Sequence, residues 1–312
     1  MNILICSACK NKEFTELFSG RDYISDEEFL LSKCAGCGLV ITNFDQMSRG
    51  LSKYYGSSYY GKRKSFSEDI INRLRVRKIF KILGSTASGF LLDIGCGNGS
   101  FFMKLREIGW SAFGTEIAPS DHLKSEAEKF IYRGDLIKNN LKNDSFDAVT
   151  MWHSLEHISN PTEYVSEARK VLKAGGAFII EVPNFLSWQS KIFETNWFHL
   201  DVPRHLFHFS PSSLSVLLGK SGFKNVKVEN GNFVYELFGW LQSVLNVFSV
   251  RKNLLFDLLN GKVELGMLFS DHPLDLLANV FFLLPGLLFA FALSILETLA
   301  GQSGVILVSA RK

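Results

Sequence analysis

Residues 90–105 read FLLDIGCGNGSFFMKL, an apolar run that breaks at three glycines and then resumes with helical spacing. Phe90 to Ile94 predicts a buried strand and Ser100 onward a helix, with Gly95, Gly97 and Gly99 in the turn between them. Glycines there let backbone N–H groups approach a ligand at a helix N-terminus. Glu116 ends the next strand, SAFGTE, 21 residues beyond Gly95, where a nucleoside cofactor needs a carboxylate for its ribose hydroxyls. Two details separate the candidate cofactors. Ser100 stands where a dinucleotide fingerprint has its third glycine. Asp93 sits at the strand end, where a carboxylate repels a pyrophosphate but attracts an ammonium and a neighbouring sulfonium. The turn therefore fits S-adenosylmethionine better than a nicotinamide dinucleotide.

D-I-G-C-G-N-G at 93–99, followed by the acid of Glu116, resembles class I S-adenosylmethionine-dependent methyltransferases. The likeness continues in YRGD at 132–135 and FDAVTMWHSLEHISNP at 146–161, and covers roughly residues 88–231 and 303–312. With the CxxC…CxxCGLV start, the chain is similar more closely to bacterial methyltransferases that carry an N-terminal zinc-binding domain, some of whose relatives methylate sugars. The resemblance implies an α/β fold with a Rossmann-like seven-stranded sheet, closed by GVILVSARK as an antiparallel strand. It implies that Asp93, Gly95, Gly97, Gly99, Glu116, Asp135 and Trp152 bind S-adenosylmethionine, with Asp135 near the adenine amino group. The activity it implies is methyl transfer to a glycan, sugar nucleotide or lipid-linked saccharide; O- and C-methylation are not separated by the sequence. A nicotinamide oxidoreductase and a non-catalytic zinc-ribbon scaffold are the competing readings.

Around this turn the other elements follow from caps and periodicity. Ser65 with Glu68 starts a helix that Gly84 stops, and Arg73, Arg77 and Lys81 form a solvated row on it. Asn160-Pro161 starts a helix running to Lys173, ended by Gly175-Gly176, and GAFIIEVPN is the strand after it. Ser210-Pro211 starts another helix, and FKNVKVEN is a strand.

Four of the five cysteines form two pairs, Cys6 with Cys9 and Cys34 with Cys37, 24 residues apart. Four thiolates suit a structural tetrahedral Zn²⁺, and leave no open position for catalysis; redox pairs are the alternative. Cys96 reads as a small residue in the glycine turn. The segment from Cys6 to Cys37 holds Lys10, Lys12, Arg21 and Lys33 against Glu13, Glu16, Asp22, Asp26, Glu27 and Glu28, a balance that opposes nucleic-acid binding. Net charge +3 over 312 residues, 21% of them charged, argues the same way for the whole chain. MNILICSACKNK lacks the pattern of a secretory signal, so the expected location is cytoplasmic.

Substrate contacts are expected outside the carboxyl ends of the strands. The loop after FDAVTM carries His153, Glu156 and His157. His157 is the expected base, with Glu156 orienting it and His153 on the substrate; the alternative is that Glu156 and His157 brace the following helix. Histidine at 153 replaces the first acid of the E-x-x-E-H through which some methyltransferases hold a divalent metal, so the sequence leaves a metal there undecided. A second cluster, DVPRHLFHF at 201–209, offers Arg204 for an anionic group and His205 for catalysis. Asp201 and Arg204 could equally pair to hold this loop.

The expected domain plan is a zinc-ribbon module at 1–45, a linker and helix at 46–87, the methyltransferase core at 88–231 plus 303–312, and a hydrophobic insertion at 232–302. Within the insertion, LANVFFLLPGLLFAFALSIL at 277–296 holds no charged residue. Both ends of the insertion return to one sheet, which opposes a full span. Pro285-Gly286 is expected to divide the run into two short helices, as a hairpin dipping into one leaflet or lying in the interface. A buried helix is the alternative. The flanking Asp271, Asp275 and Glu297 are acidic and weaken attraction to anionic lipid.

Overall fold

Alternating apolar and polar residues in the first forty positions form β1 (Phe14–Arg21), β2 (Glu28–Cys34) and β3 (Val40–Thr42). Then come α1 (Phe66–Leu83), β4 (Phe90–Ile94), α2 (Ser100–Glu107), β5 (Ser111–Glu116), β6 (Ile131–Arg133), β7 (Phe146–Trp152) and α3 (Pro161–Val171). β8 (Leu172–Pro183), α4 (Trp188–Phe193), β9 (Phe207–His208), α5 (Pro211–Lys220) and β10 (Lys224–Asn230) follow. The insertion contributes α6 (Phe233–Val247), α7 (Leu254–Leu259), α8 (Leu265–Asp271) and α9 (Pro273–Leu299), before β11 (Val305–Arg311). The computed structural model describes residues 4–43, 50–55, 66–84, 88–117 and 126–312. Ser65 and most of the linker before it lie outside the described residues.

The large sheet has the order β10-β11-β8-β7-β4-β5-β6. Strands β4 to β8 pair in parallel, and β11 is antiparallel to both of its neighbours. This is the seven-stranded α/β sheet expected from the sequence. The parallel strands read as continuous apolar runs because helices cover both faces. Ile79 of α1 and Phe102 and Leu105 of α2 pack with Leu91, Ala112 and Ile179. Val165 of α3 and Leu214 and Leu217 of α5 pack with Leu92, Val149 and Ile180 on the other side.

Two local expectations are corrected. α3 stops at Val171, ahead of Gly175-Gly176, because Leu172 is already buried and paired with Phe146. The pairing resumes at Ala148 with Ala177, so residues 173–176 bulge out of the ladder, with Gly175 at φ 74°. The small sheet, ordered β1-β2-β3-β9, takes its last strand from the middle of the chain, with Val40 opposite His208. Cys6, Leu39 and Ile41 belong to the same buried cluster as Val149, Leu206 and Phe207. The cysteine module is thus built onto the core.

α9 runs unbroken from Pro273 to Leu299 with Pro285 inside it, so the expected division at Pro285-Gly286 does not occur. A proline removes one helical hydrogen bond, and packing against α6 holds the two sides in line. Gly286, Ala290 and Ser294 are buried on the side facing the protein, and a Cβ on Gly286 would stand 3.4 Å from Leu241 of α6. Small residues at that spacing let the helices approach closely. A carboxyl pair locks the same contact. Glu297 of α9 accepts from the Trp240 indole N–H at 2.6 Å and from the Gln189 backbone N–H at 3.1 Å. Glu236 of α6 accepts from the Gly304 N–H at 2.6 Å and the Gln189 side chain at 2.8 Å.

Burial, with Glu297 beside it, pushes the Glu236 carboxyl up to about 9. The folded chain therefore keeps a proton that the unfolded chain releases near pH ~4.5. Between those values the unfolded state binds fewer protons, so stability falls as pH rises, by at most about 1.4 kcal/mol per pH unit. The thermal midpoint is expected to decline from pH 5 to pH 9. Glu236→Gln should flatten that slope in a calorimetric pH series; an unchanged slope would exclude this pair as its source.

Candidate active site

The turn after β4 is set by backbone conformation. Gly95, Gly97 and Gly99 have φ of 71°, 55° and 74°, a region in which side chains are strained. A Cβ on Gly95 would press on Ser154 at 2.7 Å and one on Gly99 on Ala127 at 2.9 Å, whereas no atom of the described residues lies within 4 Å of one on Gly97. Gly97 thus faces open space while its N–H donates to Glu116 Oε2 at 2.9 Å. The other Glu116 oxygen accepts from the Ile117 N–H at 2.9 Å. Cys96 packs against Gly114, where any Cβ would collide with its sulfur, in keeping with a small residue in the turn.

Asp93 is 2% exposed and accepts one hydrogen bond, from the Thr150 hydroxyl at 2.7 Å. Burial pushes its carboxyl up to about 7, with the Thr150 bond acting the other way. A buried carboxylate supplied by a single neutral donor fits a cationic ligand group. Asp135 caps the turn that follows it through the Ile137 N–H at 2.9 Å, and Gly134 N–H donates to Glu116 O at 2.9 Å. Asp135 and Glu116 therefore stand at the ends of neighbouring strands. The Trp152 ring lies edge-on to Phe101 with centroids 5.3 Å apart and under the Arg75 guanidinium at 4.7 Å, and its indole nitrogen has no partner among the described residues.

Beyond Trp152 the chain turns sharply, with His153 at φ 50°. His153 Nδ1 is 3.5 Å from Glu156 Oε1, and its Nε2 is 3.3 Å from Glu181 Oε1. Burial alone would push this imidazole down, but the two carboxylates carry it up to about 9. Burial would likewise raise Glu156, yet His153, His157 and His205 hold it at about 2. Arg75 reaches the same Glu181 oxygen at 3.5 Å, and the His153 ring packs on Tyr235 of α6 at 4.5 Å. His157 Nδ1 is 3.0 Å from the Arg204 carbonyl and 3.0 Å from the Tyr55 hydroxyl. His205 Nδ1 is 2.9 Å from the His199 carbonyl, and burial pushes its ring down to about 4.

Glu156, His157 and His205 are thus brought together from two loops. A cavity of about 300 Å³ opens on the two histidines, with Glu156 behind them, and is lined also by Tyr23, His153, Phe198, His199, Phe256 and Lys262. Arg204 takes another role. Its side chain is 0% exposed, and its guanidinium donates to Asp201 at 2.9 Å and Asp22 at 2.8 Å, under the Tyr23 ring. Those partners make it a brace between the loop and the cysteine module rather than a substrate anchor. The sequence reading missed Glu181, Arg75, Tyr235 and Phe256. A lone acid inside the apolar strand GAFIIEVP was the available signal for Glu181; the insertion residues gave none.

In the amino-terminal module the four paired thiols converge. Cys6 and Cys37 sulfurs are 3.6 Å apart and those of Cys9 and Cys34 3.4 Å. Sulfurs around one zinc, each at about 2.3 Å, stand roughly 3.8 Å apart. Each knuckle closes on a residue of positive φ, Lys10 at 67° and Gly38 at 75°.

A family model described as a methyltransferase domain matches residues 62–228. Among curated proteins, the chain is similar to the sterol 4-C-methyltransferase of Caenorhabditis elegans, 27% identical over 51% of this chain and 52% of that protein. It is also similar to the ubiquinone biosynthesis O-methyltransferase of Cereibacter sphaeroides, 25% identical over 49% of this chain and 67% of that one. The chain thus spans about half the length of the sterol relative. Among solved structures, a possible histamine N-methyltransferase of Thermotoga maritima aligns over 78% of this chain and 92% of its own, at 19% identity and a TM-score of 0.45. The family match runs over more than half of the chain, from α1 through β10, and by it the chain belongs to the methyltransferase-domain family.

Proposed function

We propose that this protein transfers a methyl group from S-adenosylmethionine to a saccharide or lipid-linked saccharide presented at the cytoplasmic face of a membrane. The observation that carries the cofactor is the open cradle over Gly97, bounded by buried Asp93 and by Glu116. Asp93 would hold the methionine ammonium, Glu116 the ribose and Asp135 the adenine edge. When bound, S-adenosylmethionine supplies a sulfonium methyl open to in-line attack. The chain's own part is to orient the acceptor, exclude water and handle the acceptor's proton. Glu156, His157 and His205 are assigned to that last task. Aromatic faces of Tyr23, Phe198 and Phe256 among imidazoles suit a sugar ring, which stacks and hydrogen-bonds at once.

The insertion supports the membrane part. Leu277, Val280, Phe281, Leu284 and Leu288 are each 65–71% exposed on one face of α9. At 1.5 Å per residue that helix is about 40 Å long, and so continuous an apolar stripe is foreign to a water-facing surface. Of the acidic flanks, Asp275 and Glu297 do not oppose the contact, because both are buried and bonded to backbone N–H groups inside the protein, which leaves Asp271 as the exposed acid. With both ends tied to the large sheet, α9 lies along a bilayer rather than across it. Phe256 and Lys262 of the same insertion line the acceptor pocket, which favours an acceptor carried on a lipid. The cysteine cluster is read as a structural zinc site.

Calorimetry with S-adenosylhomocysteine tests the cofactor. It should bind, with NADH silent, and Gly97→Arg should abolish binding. A free Asp93 with a pKa of about 7 must ionise to hold the ammonium, so affinity should weaken below pH 7 by up to about tenfold per pH unit. Asp93→Asn should bind weakly and without that dependence. Binding of NADH alone would favour an oxidoreductase, and binding of neither a scaffold.

Fractionation tests the membrane reading. The intact chain should sediment with membranes and resist salt extraction, and Leu277→Ser, Phe281→Ser and Leu288→Ser combined should release it; a wild type found wholly in the soluble fraction would reject it.

Metal analysis should give one zinc per chain, with Cys34→Ser lowering both zinc content and the thermal midpoint. A ratio near zero in folded protein would reject a zinc ribbon.

A further inference from the structure

Glu156 and His157 of one loop and His205 of another bring donor atoms together beside the acceptor pocket. Glu156 is 1% exposed, and neither of its carboxylate oxygens has a hydrogen-bond partner among the described residues. The Nδ1 atoms of His157 and His205 face the carbonyls of Arg204 and His199 at 3.0 and 2.9 Å. A carbonyl oxygen only accepts, so each Nδ1 that bonds to one donates its hydrogen, which leaves Nε2 as the nitrogen through which the ring could ligate a metal. His205 Nε2 is 4.0 Å from Glu156 Oε1, the two imidazole centroids are 4.6 Å apart, and one donor atom from each residue lies within 4.8 Å of the other two. His153 does not fill the gap. Its Nδ1 stays 3.5 Å from the carboxylate, beyond good hydrogen-bond length, and its other nitrogen is turned to Glu181. His153 balances part of the Glu156 charge from 3.5 Å, and a cation among the three donor atoms would take up the remaining lone pairs directly.

We propose that Glu156, His157 and His205 form a binding site for a divalent first-row cation in the acceptor pocket. Two imidazoles and a carboxylate are a ligand set for Mn²⁺, Fe²⁺, Co²⁺ or Zn²⁺, with positions left open to a further oxygen ligand. Ligands at about 2.0–2.2 Å from one ion stand roughly 3–3.5 Å apart, so donor atoms within 4.8 Å of one another need to close by up to about 1.8 Å. The backbone carbonyls on both Nδ1 atoms are the outer contacts that fix a metal-bound histidine in tautomer and direction. The set differs from E-x-x-E-H. The histidine in that motif's first position is turned to Glu181, and the third ligand comes from position 205, 48 residues beyond His157. His157 and His205 line the cavity, so the ion would meet a hydroxyl or carbonyl oxygen of the acceptor, and with the ion bound the three residues would act on the acceptor's proton through it rather than as free bases. That last role rests on the acceptor site proposed above; the ion's binding does not.

The test is a titration of the full, zinc-loaded chain with Mn²⁺, read by loss of the free-ion paramagnetic resonance signal. Mn²⁺ favours oxygen ligands over thiolates, so the cysteine site stays silent. One Mn²⁺ per chain is expected, with imidazole nitrogen couplings in its spin-echo spectrum. Glu156→Gln and His205→Gln should each weaken it by at least about tenfold while S-adenosylhomocysteine still binds in the calorimeter. A wild type that binds no Mn²⁺, or binds it without nitrogen coupling, overturns the site. So does either variant if it binds both ligands as wild type does. Should Glu156→Gln fail to fold, the wild-type spectrum and His205→Gln decide. Cofactor binding without Mn²⁺ removes only the cation, whereas a wild type that does not bind S-adenosylhomocysteine removes the methyltransferase reading itself.

Discussion

The guanidinium of Arg204 is the contact on which the arrangement of the acceptor pocket depends. It is wholly buried between Asp22 of the cysteine module and Asp201 of its own loop. A charge in that position is tolerated only because both carboxylates answer it; removing one partner of such a pair costs about 3–5 kcal/mol. The same residue's carbonyl faces His157 Nδ1, and its neighbour in sequence is His205. One ion-pair network therefore fixes the loop, docks the module on the core and aims two imidazoles. β9, two residues further on, extends the amino-terminal sheet and repeats the tie through backbone hydrogen bonds.

Charge along the pocket is arranged in a chain of close partners. Arg75, Glu181, His153 and Glu156 follow one another at 3.3–3.5 Å, all of them largely screened from solvent. In so dry a setting each group depends on its neighbours for its ionisation. Asp93 stands apart, held by one hydroxyl, which leaves it a weak acid until a cation joins it. Two kinds of carboxylate thus serve two ends of the site, and burial with unequal pairing makes the difference.

The insertion is tied to the core more firmly than its hydropathy would imply. Glu236 and Glu297 bridge α6, α9, the first turn of α4 and the turn into β11, and Tyr235 packs on His153. The exposed stripe of α9 and the pocket wall at Phe256 belong to one body of helices, so that apolar surface is mechanically joined to the pocket.

Much of the fold was legible in the chain itself. The glycine turn, the acid of Glu116 and the apolar runs on either side determine a parallel sheet with a nucleoside pocket, because φ near +60° and a buried strand each admit few residue types. The paired cysteines could be read for the same reason, since two knuckles of fixed spacing can supply four thiols locally. Partnership over long distances was not legible. Whether Arg204 faces a substrate or Asp22, and whether His205 meets Glu156, depends on segments 182 and 49 residues apart in sequence, which only the folded core brings together. Pro285 points the same way: local chemistry predicts a break, and the packing of Gly286 and Ala290 against α6 overrides it. Short-range sterics are written in neighbouring residues, whereas the partner that neutralises a buried charge or straightens a helix is chosen by tertiary packing.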